Sequence, residues 1–344
     1  MSITTQPRVA IVHDDLVQWG GAERVLLGLC QIYPDAPIYT SVFDYSNEQL
    51  YQRFHHKKIV TSFLQKIPGW KSLYKPLLPL YALAFEQFDF TKFDLVISNT
   101  TRFAKSIITK PHTIHICYCH TPPRFLWHFS GMGNLGISEL FMSKLRLYDQ
   151  ISANRVDFFI AGSENAKRRI EKIYRQKSKV VYPFVELDRF KEIETFDGGY
   201  FVILGRANKY KRFDLAEKAC KKNGWDLKII DGNFSDQLVV EVLAGSRALI
   251  IAGEEDFGIS SLEAQALGKP VIAYKKGGVL ETVIDGKTGV FFDTQSVESL
   301  VLAIKKLETI KINPDICKEN ATQFSKEKFI SDFKKLVASL LYTN

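Results

Sequence analysis

The stretch Ala252–Glu263, reading AGEEDFGISSLE, carries residue types that could hold a sugar joined to a phosphate. The apolar run Ala248–Ile251 before it is predicted to be a buried strand. Gly258 then precedes a predicted serine-capped helix whose first turn holds Glu263. A helix start offers free backbone N–H groups and the positive end of a dipole, which together suit a diphosphate. Glu255 and Glu263 flank that start, and carboxylates accept hydrogen bonds from sugar hydroxyls. The same residues allow a purely structural account. Ser260 and Glu263 have capping-box spacing and would satisfy each other's backbone donors.

A second element favours the ligand. Gly205–Lys211, reading GRANKYK, follows the apolar run Tyr200–Leu204, so Arg206 and Lys211 lie just past the carboxyl end of a predicted strand. Ligands bind there in open α/β sheets. A guanidinium grips phosphate oxygens in a bidentate fork, and an ammonium adds a point charge.

The elements that must position these groups alternate along the chain. Strands are predicted at Val9–His13, Leu95–Ser98, Ile114–Tyr118, Phe158–Ala161 and Val180–Tyr182, then at 200–204, 226–230, 248–251 and 270–273. A helix opened by Gly20-Gly21 carries Val25, Leu26 and Leu29 at core spacing, and Ser163 is placed to cap a basic helix, Glu164–Tyr174. Further helices are expected at 213–223, 236–244 and 261–267. The order β–α–β–α implies parallel sheets covered on both faces. The polar stretch Glu186–Gly199 is predicted to link two domains.

Taken together, GRANKYKRFD, EEDFGISSLEAQALGKPVIA, GGVLETV and DGKTGVFF resemble the donor half of retaining glycosyltransferases of family 4. QWGGAERVLLGL and CYCHTPPRFLW are similar to the acceptor half of that family. The resemblance spans nearly the whole chain. It implies the GT-B architecture, an α/β fold of two Rossmann-like domains whose parallel sheets face a central cleft. The domains are placed at 1–184 and 185–319, with 320–344 as a terminal helix crossing back onto the first. Phe324, Phe329, Phe333, Val337 and Leu340 supply the apolar face of that helix.

By the resemblance, Gly20 and Gly21 let a loop approach the donor's diphosphate, and His120 contacts the transferred sugar. Arg206 and Lys211 neutralise the leaving nucleoside diphosphate. Glu255 holds the sugar hydroxyls and Glu263 the ribose, while the backbone from Phe257 through Gly258, Ile259 and Ser260 offers amides to the phosphates. Arg124 and Trp127 are expected on the acceptor side. With two cations at the phosphates, neither a metal nor a cofactor is expected. The HTPPRFLW and EEDFGI elements lean toward GDP-mannose as donor. A UDP-hexose donor, or a non-catalytic glycosyltransferase-like subunit, are the alternatives. One departure stands out. After strand 226–230 the sequence Asp231–Phe234 leads almost directly to a single helix and strand 248–251, so about one strand–helix unit of the family pattern is missing.

Composition sets limits. The chain has 344 residues, 46% of them hydrophobic, enough for two domains with separate cores. No run of 18 uninterrupted apolar residues occurs, and the leading MSITTQPR lacks a signal-peptide core, so a cytoplasmic protein is expected. The five cysteines show no paired metal-ligand spacing. Gly286-Lys287-Thr288 imitates the end of a P-loop, but Glu281 stands where its first glycine is needed. No dinucleotide-binding glycine motif follows the first strand.

The net charge of +8 lies entirely in residues 1–190, which hold 24 lysines and arginines against 16 aspartates and glutamates. Between Glu48 and Glu86 no acid occurs, while Arg53, Lys57, Lys58, Lys66, Lys71 and Lys75 alternate with Phe63, Trp70, Leu73, Tyr74 and the run Leu77–Tyr81. Residues 53–81 are therefore expected to meet an anionic membrane surface, on the inner face of the cytoplasmic membrane. The alternative is a solvated face over a buried helix. No helix-turn-helix, RNP or zinc-finger pattern supports nucleic acid as a partner. The expected partners are a nucleotide-sugar and a lipid-linked glycan of surface polysaccharide assembly.

Overall fold

The computed structural model describes residues 7–342, apart from 74–76, 130–138, 207, 233 and 234. Tyr74 and Lys75 of the basic segment, and Ala207, Asn233 and Phe234 of the motifs above, thus lie outside the described residues.

The first domain runs β1 (Val9–His13), α1 (Gly21–Ile32), β2 (Ile38–Thr40), α2 (Glu48–Phe54), β3 (Ile59–Thr61), α3 (Leu78–Glu86), β4 (Leu95–Thr100), β5 (Ile114–Cys119), α4 (Arg124–Trp127), α5 (Glu139–Ala153), β6 (Phe158–Ala161), α6 (Glu164–Tyr174) and β7 (Ser178–Val180). Its sheet is parallel throughout, in the order β3-β2-β1-β4-β5-β6-β7. Every residue of β1 and β4 is buried, as their apolar runs require of strands covered on both faces. The chain moves outward from β1 to β3 and then returns to β4. Loops after β1 and β4 therefore diverge and leave a crevice at the strand ends. Ser163 caps α6 by accepting from Ala166 N at 2.9 Å, as its place in the sequence predicts.

The second domain comprises β8 (Tyr200–Gly205), α7 (Phe213–Asn223), β9 (Asp226–Asp231), α8 (Asp236–Ala244), β10 (Ser246–Ile251), α9 (Ile259–Ala266), β11 (Val271–Tyr274), α10 (Val279–Thr282), β12 (Gly289–Phe292), α11 (Val297–Thr309) and α12 (Pro314–Thr322). Its parallel sheet has the order β12-β11-β10-β8-β9, with the switch between β8 and β10. The loops after those two strands are GRANKYK and AGEED. β9 is the sheet margin, and α8 alone leads from it back to β10, which is the shortening expected from the sequence.

Three expectations are corrected. The stretch Glu186–Gly199 is more than a linker, because Leu187–Phe190 form a 3-10 turn with Phe190 buried in the second domain's core. The crossing helix begins at Lys326 rather than at 320. α12 stays on the second domain, where Asn320 Nδ2 donates to Gln265 Oε1 at 2.7 Å. The chain then crosses and α13 (Lys326–Tyr342) buries Phe329, Phe333 and Val337 in the first domain's core, beside Phe184. Each such side chain contributes about 1.5–3 kcal/mol by leaving water. Finally, much of the basic aromatic segment is core. Leu64, Leu77, Leu78 and Tyr81 are buried and Trp70 packs against them. Lys57 Nζ donates to the Pro34 carbonyl at 2.5 Å, and Lys71 pairs with Asp44 at 2.6 Å.

Candidate active site

A cavity of about 550 Å³ separates the domains. From the first domain it is lined by the ends of β1 and β4, the start of α1, and His120; from the second, by the loops after β8 and β10 and the start of α9. Gly20, Gly21, His120, Arg206, Lys211, Glu255, Phe257, Gly258, Ile259, Ser260 and Glu263 all lie on its wall.

The consecutive carboxylates of the loop after β10 divide by direction. Glu255 accepts from Lys211 Nζ at 2.6 Å within the cavity, with both side chains largely covered. Burial draws the Lys211 pKa down, but Glu255 and Tyr210 beside it outweigh that and hold it above the ordinary lysine value. Glu254 and Asp256 point the other way, toward the first domain. Arg169 pairs with Glu254 at 2.6 Å and also with Asp256, and Arg124 reaches Asp256 at 2.6 Å and the Glu254 carbonyl at 3.1 Å. Ser163 Oγ donates to the Asp256 carbonyl at 2.7 Å. Glu255 is thus left facing the cavity by neighbours anchored on either side.

Below this loop lie Gly277 and Gly278. Gly278 N donates to the Glu255 carbonyl at 2.8 Å, and a Cβ on Gly278 would stand 2.3 Å from the Asp256 carbonyl oxygen and the Phe257 Cα. Gly278→Ala should therefore displace the loop, lowering stability by about 1–3 kcal/mol and turnover more steeply. Thermal unfolding together with an assay of the purified variant would show it. Gly253 serves the same end, since a Cβ there would lie 2.2 Å from the Tyr210 carbonyl. That glycine lets the two cleft loops touch.

Two helix starts converge on the cavity. α1 begins after Gly20 and α9 after Gly258, and no side chain caps either end. A Cβ on Gly21 would come within 3.0 Å of Ile259 Cδ1, so the two ends face each other closely. The serine cap and capping box do not form. Gly258, at φ 90°, occupies the left-handed cap position that its lack of Cβ permits, so Ser260 falls inside the helix. Glu263 instead accepts from Arg189 Nη1 at 3.0 Å. Two uncapped helix starts, with Arg206 and Lys211 nearby, present backbone N–H groups and positive charge to the cavity, an arrangement suited to an anion. Arg206 Nη1 donates across the gap to Gln18 Oε1 at 2.7 Å.

Comparison with known proteins gives the family and the fold. The family described as Glycosyltransferase Family 4 matches residues 19–189, and Glycosyl transferases group 1 matches residues 201–324. The chain belongs to the family 4, group 1 glycosyltransferases. An alpha-1,3/1,6-mannosyltransferase of Kluyveromyces lactis is 23% identical over 81% of this chain and 72% of its own length. A glycogen synthase of Pseudomonas syringae is 27% identical over 43% of the chain, which spans about a third (31%) of that relative. Among solved structures, sucrose-phosphate synthase of Thermosynechococcus elongatus superposes with TM-score 0.74 at 14% identity, covering 98% of this chain and 100% of that one. Anabaena HepE with UDP and glucose does so with TM-score 0.67 at 16% identity, over 97% and 100%. Both are GT-B folds, and so is this glycosyltransferase.

Two expected site residues of this glycosyltransferase are placed elsewhere. Arg124 is engaged by Asp256 and the Glu254 carbonyl, and its guanidinium lies 4.6 Å from the Tyr210 ring centroid. Trp127 Nε1 donates to buried Asp149 at 2.8 Å, where Lys105 and Tyr174 also bond. Neither lines the cavity. The short α4 turns both side chains away from it, one to the domain contact and one to the core.

Other residues were missed. His120 Nε2 donates to Asn99 Oδ1 at 2.7 Å, and Asn99 Nδ2 donates to His13 Nδ1 at 3.0 Å. His13 Nε2 in turn lies 3.5 Å from Glu23 Oε1. Burial, reinforced by His13, pushes the His120 pKa down to about 4, so its ring is neutral at pH 7. Asp14 anchors the loop after β4, accepting from Thr100 Oγ1 at 2.9 Å and the amides of Thr101, Phe103 and Ala104. At the far end of the cavity Asp236 accepts from Trp19, Arg24 and Arg53 of the first domain, at 3.2, 2.8 and 3.0 Å. Arg24 also pairs with Glu186. Their signals in sequence were polar residues at predicted strand ends and helix starts.

Among the described residues no three His, Cys, Asp or Glu side chains are grouped to hold a metal, and the five cysteines are buried thiols. Among the described residues, no helix is long and apolar enough to cross a membrane.

Proposed function

We propose that this glycosyltransferase moves mannose from GDP-mannose onto a lipid-linked glycan during surface polysaccharide assembly, such as that of lipopolysaccharide, keeping the anomeric configuration. The observation carrying the reading is the Lys211–Glu255 pair beside Arg206, in a cleft where two uncapped helix starts meet. Glu255 accepts hydrogen bonds from the sugar. Lys211, Arg206 and the helix starts meet the charge that grows on the diphosphate, the largest stabilising effect available to such a site. The bond from the anomeric carbon to the β-phosphate oxygen breaks, and its electron pair leaves with the phosphate. The acceptor hydroxyl bonds to that carbon from the same face, and its proton passes to the departing phosphate oxygen. Cationic side chains at the diphosphate take the part that a metal takes in other transferases, so the reaction proceeds without one. The work is done at the inner face of the cytoplasmic membrane.

Mannose and GDP are supported by the mannosyltransferase names of relatives, including a GDP-mannose-dependent enzyme of Mycolicibacterium smegmatis that is 47% identical over 53 residues. Thermal unfolding with GDP, UDP and ADP tests the base. At a hundredfold excess over Kd the correct nucleotide should raise stability by about 2.7 kcal/mol. A rise with UDP and none with GDP would replace the mannose reading by a UDP-hexose one. No response to any nucleotide would favour a non-catalytic subunit.

A further inference from the structure

One layer of helices on the first domain shows apolar side chains that the fold does not use. α3, α5 and the 3-10 turn Phe63–Lys66 all pack on the same face of the seven-stranded sheet, around Leu64, Leu78, Phe85, Met142 and Leu145. The opposite side of α5 is exposed. Leu140, Leu147 and Ile151 are 73%, 60% and 48% accessible, and their spacing of seven and four puts them on one helix face. Lys144, also exposed, falls within that stripe. α3 contributes Leu83, 53% accessible. The two helices are joined where Glu86, the last residue of α3, accepts from Tyr148 of α5 at 2.8 Å. Isolated exposed leucines need no explanation, but a stripe of them does.

The charge around the stripe indicates its occupant. Exposed Lys66, in the turn that packs on α3, belongs to the stretch from Glu48 to Glu86 that contains no acid between its ends. Of the acids beside the helices, Glu139 pairs with Arg146 at 3.1 Å and Glu86 is held as above, while exposed Asp89, just past α3, has Lys92 and Lys110 near it. A second copy of this chain would bring lysine against lysine. We infer that the outer surface of α3 and α5 docks on a bilayer containing anionic lipid, with Leu83, Leu140, Leu147 and Ile151 entering the headgroup boundary and Lys66 and Lys144 meeting the lipid charge. The docking face is therefore centred on α5, beyond the basic segment 53–81 that the sequence points to. This inference rests on the lipid-linked acceptor of the proposed function, since an enzyme held this way meets a substrate whose lipid stays in the membrane.

Flotation with vesicles of phosphatidylcholine and phosphatidylglycerol tests it. The triple variant Leu140→Gln, Leu147→Gln, Ile151→Gln should melt as the wild type does and bind at least tenfold more weakly. Lys66→Glu with Lys144→Glu should remove the preference for anionic over neutral vesicles. Transfer to a lipid-free glycan should be unchanged in both. Wild-type binding by the triple variant would overturn the docking face. So would light scattering that showed a wild-type dimer, split by the triple substitution, and no vesicle binding. Vesicle binding that follows these variants, with no sugar transfer to any acceptor, would instead remove the proposed function and leave the docking face standing.

Discussion

Lys211→Ala should lower turnover by about 10²–10³-fold, the range for removing one preorganised group from a developing oxyanion. Three features give that size. The ammonium is largely covered, so water cannot take its place at the phosphate. It sits 2.6 Å from Glu255 and thus also fixes the carboxylate proposed to hold the sugar. Its pKa lies above the lysine norm, so it is cationic at every pH where the enzyme would be assayed. Removing it leaves Glu255 as an unpaired carboxylate beside a diphosphate, which should raise the KM for donor as well. The fold should survive, because Lys211 lies in a short turn on the cavity wall and its bond is to Glu255, not to a group of either domain's core. Steady-state kinetics at saturating donor, with a melting curve on the same sample, would measure both effects. Undiminished turnover would take Lys211 out of the site.

Arg169→Ala should cost stability instead. Its guanidinium, 8% accessible, bonds Glu254 at 2.6 Å, Thr121 Oγ1 at 3.0 Å, and Asp256. Removing one partner of a buried pair costs about 3–5 kcal/mol. The lower end applies, because Arg124 still holds Asp256 and Lys276 still holds Glu254 at 3.1 Å. Burial alone would raise the Asp256 pKa, but Arg124 and Arg169 reverse that and hold it below the usual carboxylate value. A depressed folded pKa means stability that is complete above the unfolded value, about 3.9, and lost as pH falls through the folded one. The gap between wild type and variant should therefore be full at pH 7 and narrow below about pH 4. Urea unfolding at several pH values would show it. A gap that widened toward acid would refute this account of the contact.

The second domain was the more legible half of the sequence, for a local reason. In GRANKYK and EEDFGISSLE the strand end, the turn glycine and the helix start are contiguous, so a short string fixes both the element and the direction of its side chains. Glu255, Lys211 and Gly258 needed nothing further. Residues that meet only across long stretches of chain were not legible. Asp236 is joined to Arg24 across 212 positions, and Arg189 reaches Glu263 across 74, with no periodicity to announce either. The strands Ile38–Thr40 and Ile59–Thr61 escaped because three residues cannot display an alternation. Arg124 and Trp127 misled because proximity to His120 in sequence ignores how α4 turns. The capping box was a competing local reading that Gly258 decided, by starting the helix earlier than a serine would.

The alternation of Glu254, Glu255 and Asp256 ties grip to posture. Its outer two members are held by the first lobe while the middle one faces the cavity, so the contact between the lobes also fixes the peptide that presents Glu255. By reciprocity, whatever factor closure lends to sugar affinity, a bound sugar returns to closure.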